Sequence, residues 1–116
     1  MIKYNQDFLI IRSSIERLLI DKDVEWYPTN SDGYKEHFKR DSMGCIAFYD
    51  KDKSHKYYLY FNTIYFKDEI TYGKLSSITI VDNLDLSTGT YKPLSKTHIE
   101  CLDDGKEVLK IISSLL

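Results

Sequence analysis

The sequence predicts an α+β domain: an N-terminal helix, a strongly bent antiparallel sheet or partly open barrel of five or six strands, and a C-terminal helix packed on it. Three observations carry this expectation. Apolar residues recur at spacings of three and four near the N-terminus, the middle of the chain alternates with a period of two, and paired apolar residues return at the C-terminus. A length of 116 residues suits one hydrophobic core, so 1–116 reads as a single domain, with 1–22 as the first helix and 44–116 as the sheet and last helix.

The first helix is expected over residues 6–21, where Phe8, Ile11, Ile15, Leu18 and Leu19 form one apolar stripe and Arg12, Glu16 and Arg17 fall opposite. Leu9, Ile10 and Ile20 widen that stripe, which predicts cover on more than one side. Asn5 is the expected N-cap, with Asp7 placed favourably in the first turn. Residues 24–27 read as a short strand ended by Pro28, and 29–42 as a polar loop with room for one helical turn, since Tyr34 and Phe38 are four apart. Strands follow at 45–49 and 56–66, joined by the charged turn Asp50-Lys51-Asp52-Lys53-Ser54. In the second of these, Tyr57, Leu59 and Phe61 share one face and Tyr58, Tyr60 and Asn62 the other. Neither face is polar, so the strand is expected to be covered twice or to bend. Further strands are expected at 70–72, 75–82 and 97–102, the last two separated by a loop over 83–96 with room for a short strand at Thr90 and Tyr91. Val108, Leu109, Ile111, Ile112, Leu115 and Leu116 then match helical spacing, with Asp104 and Glu107 reading as a capping box.

Composition excludes several function classes. With 16 basic and 18 acidic residues the net charge is −2, which supplies no field to draw nucleic acid. No run approaches the roughly 20 apolar residues of a membrane span. Residues 1–7 are polar, without the apolar middle of a signal peptide, so the expected address is the cytoplasm. There Cys45 and Cys101 are expected as two buried, reduced thiols.

A search for chemistry yields no catalytic or metal-binding constellation and no cofactor motif. His98 and Glu100 would share a strand face, but their separation also fits an exposed polar edge. Cys45 with His37 or His55 lacks a nucleophile motif. The turn at 50–54 begins like a calcium loop, yet His55 stands where the glycine is needed and Phe61 where the closing Glu is needed. The carboxylate pairs Asp68-Glu69 and Asp103-Asp104 sit at element ends.

The run Lys56-Tyr57-Tyr58-Leu59-Tyr60-Phe61, leading into Ile64-Tyr65-Phe66-Lys67 and then Ile70-Thr71-Tyr72-Gly73-Lys74-Leu75-Ser76-Ser77-Ile78, resembles bacterial pleckstrin-homology-like domains over roughly 44–116. The resemblance implies a bent sheet or partly open barrel plugged by the C-terminal helix, in a binding module. The basic phosphoinositide loop of the better-known members is not visible, because Asp50 and Asp52 alternate with Lys51 and Lys53.

The expected function is therefore a non-enzymatic protein-binding module, of the sort found among bacterial immunity, inhibitor or adaptor proteins. Ten Tyr, five Phe and one Trp supply aromatic surface. Trp26, Tyr27, Tyr34, Phe38 and Tyr91, all near loops, are the expected partner anchors. The alternative is an anionic small ligand or lipid headgroup gripped by Lys35, His37, Lys39 and Arg40. An exposed edge strand in so tyrosine-rich a sheet leaves room for a homodimer.

Overall fold

The computed structural model describes residues 3–4, 6–29, 45–66 and 72–116. Along the chain these form β1 (Lys3–Tyr4), α1 (Gln6–Asp21), β2 (Trp26–Thr29), β3 (Cys45–Tyr49), β4 (Lys56–Phe66), β5 (Tyr72–Asp82), α2 (Asn83–Ser87), β6 (Pro93–His98) and α3 (Asp104–Leu115). The arrangement is α+β, with a helix at each end of one mainly antiparallel sheet. Strands β2, β3, β4 and β5 lie side by side in that order, and β6 and β1 share the far side of β5. Strand β6 runs antiparallel beside residues 77–81, and β1 meets Tyr72 and Gly73 in parallel. Among the described residues nothing joins β2 to β6, so the sheet is open rather than closed into a barrel.

The helical stripe of α1 buries Phe8, Ile11, Ile15 and Leu19 against the sheet. They meet Ile46 and Phe48 of β3, Tyr57, Leu59 and Phe61 of β4, Leu75, Ile78 and Ile80 of β5, and Val108 and Ile112 of α3. Phe61 is 1% exposed, and its ring centroid lies 5.3 Å from that of Phe8. Two expectations for α1 need correction. Leu9, Ile10 and Ile20 are 49%, 43% and 61% exposed, because each is rotated by roughly 100° or more from a sheet-facing position. Arg12 is half-buried rather than turned away, with its guanidinium 5.5 Å over the Phe61 ring and Nε 3.1 Å from Glu16 Oε1. The expected N-cap Asn5 lies outside the described residues.

The two faces of β4 alternate as the sequence predicts as far as Asn62. At Asn62/Thr63 the register with β5 shifts, so Ser76 of β5 has no partner opposite and donates its hydroxyl to the Asn62 carbonyl at 3.1 Å. Such a bulge bends the paired strands.

The C-terminal third differs from expectation. Residues 83–87 form the short helix α2, capped where the Asp82 carboxylate accepts from Leu84 N at 2.8 Å. The last strand is β6, ending at His98 rather than running over 97–102. Glu100 therefore shares no strand face with His98: its backbone N–H donates to Asp104 Oδ2 at 2.7 Å, as does that of Cys101 at 3.0 Å. Asp104 thus ties down the turn before α3, and the expected capping box is replaced by Asp103 at the N-cap without a side-chain bond.

Those two N–H donors hold the Asp104 carboxyl below the usual range for an aspartate. A depressed folded-state pKa adds stability above the unfolded value, near 3.8, and that stability is lost as pH falls through the folded value. Replacing Asp104 with Asn is expected to destabilise the protein at neutral pH, with the gap to the parent narrowing below about pH 4. Urea titrations across pH check this, and a gap that stays constant into acid contradicts it.

Helices α1 and α3 touch at Gly105, which is buried. A Cβ there would stand 2.9 Å from Ile11 Cγ1, the stem of a buried branched side chain. Gly105→Ala is therefore expected to destabilise by about 1–2 kcal/mol, overpacking outweighing the gain in helix propensity. Thermal denaturation checks the sign, and a stabilised variant contradicts the close approach.

Candidate functional site

Consecutive residues of a strand face opposite ways, so the sheet turns a second set of side chains away from α1 and α3. Cys45, Tyr60 and Val81 are buried there, with Tyr58 and Leu86 of α2 packed against them. Burial pushes the Cys45 thiol up to about 12, which leaves it inert as a nucleophile. Asn62 Nδ2 donates to Ser77 Oγ at 3.1 Å and to Thr79 Oγ1 at 2.9 Å, so the polar part of this face is internally bonded.

The end of the sheet near the β3–β4 turn is built differently. Pairing of Tyr49 with Lys56, and of Tyr27 and Tyr58 with Ala47, gathers three tyrosines around one lysine. The Lys56 ammonium stands 5.0 Å from the Tyr27 ring centroid, 5.1 Å from that of Tyr58 and 5.6 Å from that of Tyr49. Its hydrogen bond to Tyr27 raises the Lys56 pKa above the usual lysine range; partial burial opposes this and Tyr58 reinforces it. Tyr27 remains 37% exposed, so the cluster is a surface rather than a core.

Around the corner of the same end lies an open cleft of about 450 Å³, lined among others by Tyr49, Lys53, His55, Asp82 and Leu84. His55 Nδ1 lies 3.1 Å from Asp82 Oδ2, and the imidazole stacks on Tyr57 at 5.9 Å. Lys53 pairs with Glu25 at 3.1 Å. Ser54 donates its hydroxyl to Asp50 and Asp52, at 2.8 and 2.7 Å, and together with its N–H holds the Asp52 carboxyl below the usual range. The turn is thus knitted by its own side chains.

Three features of this cleft limit its chemistry. The Asp82 carboxylate both caps α2 and orients His55, a clasp between the β3–β4 turn and the β5–α2 junction. The lining serine hydroxyls are committed elsewhere, Ser54 to the two aspartates and Ser87 to the Leu84 carbonyl at 2.9 Å. Lys53, His55 and Lys56 each have a partner already. No protein-family model, curated protein or solved structure matches this chain. The site is therefore read from its own residues.

The structure separates the expected anchors. Trp26 and Tyr27 are adjacent on β2 and face opposite ways: Trp26 is half-buried against the helix-side core, and Tyr27 joins the Lys56 cluster. Tyr91, 52% exposed, lies on the α2–β6 connection. Tyr34, Phe38 and the alternative anion cluster of Lys35, His37, Lys39 and Arg40 lie outside the described residues. Cys45 and His55 do not meet, since β3 separates the Cys45 position from the turn by about 13 Å of strand. Cys101 is exposed rather than buried, because it sits in the turn before α3, and both cysteines are free. Among the described residues, no three His, Cys, Asp or Glu side chains gather as a metal site would require, and no helix is long and apolar enough to cross a membrane.

The sequence reading missed Tyr49, Lys56, Tyr58 and the His55–Asp82 clasp. The signal for the first three was the density of tyrosine around one lysine, but only the register of β2, β3 and β4 brings them together.

Proposed function

We propose that this chain is a non-enzymatic protein-binding module, acting in the cytoplasm as an immunity, inhibitor or adaptor protein, with the Tyr27–Tyr49–Lys56–Tyr58 cluster as its contact surface. The observation that carries the reading is a lysine ammonium fixed among three tyrosine rings at an exposed sheet end. Such a cluster loses little side-chain entropy on binding, because its rotamers are already held, and tyrosine is enriched where binding energy concentrates. The clasped turn beside it supports the same reading, since it offers a firm polar border. The pleckstrin-homology-like resemblance belongs to this proposal too, and a C-terminal helix on an antiparallel sheet supports it.

Affinity capture from the source organism tests the proposal, comparing the parent chain with Tyr27→Ala and with Leu9→Ser on the far side of the molecule. A protein retained by the parent and by Leu9→Ser but lost with Tyr27→Ala is expected. Equal retention by all three contradicts the assignment. Binding of inorganic phosphate or anionic vesicles in place of any protein favours the anionic-ligand alternative.

A further inference from the structure

The edge of the sheet opposite Tyr27 is strand β6, whose outer side pairs with no strand among the described residues. Its backbone polarity follows from one bond. Ile99 N donates to Ser76 O at 2.9 Å, continuing the register that sets Thr97 beside Ile78 and Ser95 beside Ile80. Hydrogen-bonded pairs in an antiparallel ladder recur every second residue. Ser95, Thr97 and Ile99 therefore spend their N–H and C=O groups on β5, while Lys96 and His98 aim theirs outward. The side chains of Lys96 and His98 lie on the face away from α1 and α3, opposite Thr79 and Ser77, and both residues are exposed. Pro93, which has no N–H, bounds the edge at one end. At the other, Glu100 leaves the strand to bond Asp104.

We propose that this edge accepts an extended segment of another protein bearing acidic side chains at alternate positions, added to the sheet as a further strand. Charge selects the occupant. A symmetric antiparallel pairing of two copies centred on the outward residues sets Lys96 opposite Lys96, His98 opposite His98, or Lys96 opposite His98. Each sets like-charged or basic groups directly opposite, which is unfavourable. An added strand with Glu or Asp at positions i and i+2 sets a carboxylate beside Lys96 and another beside His98, both on one face, while its backbone bonds the outward N–H and C=O groups. Exposed Lys92 and Leu94 extend the contact toward the start of the strand. This surface is separate from the Lys56 cluster and does not depend on it.

A fluorescent peptide alternating Glu and Val tests the proposal, with a same-composition peptide of blocked sequence and a Lys–Val peptide as comparisons. The alternating acidic peptide is expected to bind at low salt and to slow amide exchange at Lys96 and His98 by about tenfold or more, leaving Ser95 and Thr97 unchanged. Lys96→Glu is expected to weaken binding about tenfold. Lys96→Pro, which removes an outward N–H and spares the ladder to β5, abolishes the protection at His98. No binding at low salt overturns the proposal. So does equal binding of the blocked or Lys–Val peptide, or protection of Lys96 and His98 that rises with protein concentration alone, the signature of self-pairing.

Discussion

Phe61→Ala is expected to lower the free energy of unfolding by about 3–5 kcal/mol, the largest effect of any single substitution considered for stability. Phe61 is buried where β4 meets α1, its ring against Phe8 and beneath the Arg12 guanidinium. Truncation removes the ring's transfer energy and leaves a cavity between sheet and helix. It also removes the ring from beneath the Arg12 guanidinium, which keeps its ion pair with Glu16. Against a total of about 5–15 kcal/mol for a domain this size, such a loss brings the variant close to unfolding at room temperature. Urea denaturation followed by Trp26 fluorescence measures it, and a loss below about 1 kcal/mol would mean that α1 does not rest on β4 as described.

The second large effect concerns binding. Tyr27→Ala is expected to weaken the partner complex by about 2 kcal/mol or more, roughly thirtyfold in Kd. Its effect on folding should be small, because the side chain is over a third exposed. Lys56→Glu should weaken the complex at least as much. It reverses the charge at the centre of the cluster and leaves Tyr27, Tyr49 and Tyr58 without the cation that organises them. Titration calorimetry against the captured partner, with circular dichroism to verify folding, separates the two effects. An unchanged Kd for both variants removes this cluster from the interface.

Much of the fold was legible because it follows from local periodicity. The spacing of Phe8, Ile11, Ile15 and Leu19 defines the buried face of α1, and the alternation from Tyr57 to Asn62 defines both faces of β4. What lay beyond periodicity was harder to read. The edge strand β6 begins at a proline and keeps no buried hydrophobic side chain, so its sequence resembles a loop. Helix α2 spans five residues, too short to display a stripe, although Asp82 followed by Asp85 carries the polar start of a helix. Exposure of Leu9, Ile10 and Ile20 was hidden because an apolar residue states a preference for burial, not that a neighbour exists to bury it.

The binding cluster was only partly legible for a related reason. Tyr27 was identifiable as an aromatic beside a loop, but its partners stand on two other strands. Lys56 is 29 residues from Tyr27 in sequence, and Asp82 is 27 from His55. Contacts of that separation depend on strand register, which is set jointly by turn geometry and by which face each strand buries. Trp26 shows the same dependence in reverse: one step along β2 moves a side chain from the displayed face to the core.

Site-specific photo-crosslinking tests the central claim most directly. A benzoylphenylalanine at position 27 reports on the Lys56 cluster, and one at position 9 reports on the exposed flank of α1. In cells of the source organism, position 27 is expected to capture a discrete protein adduct that disappears when Lys56→Glu is added, with position 9 giving none. An adduct at position 9 alone, or one at position 27 indifferent to Lys56→Glu, would contradict the account.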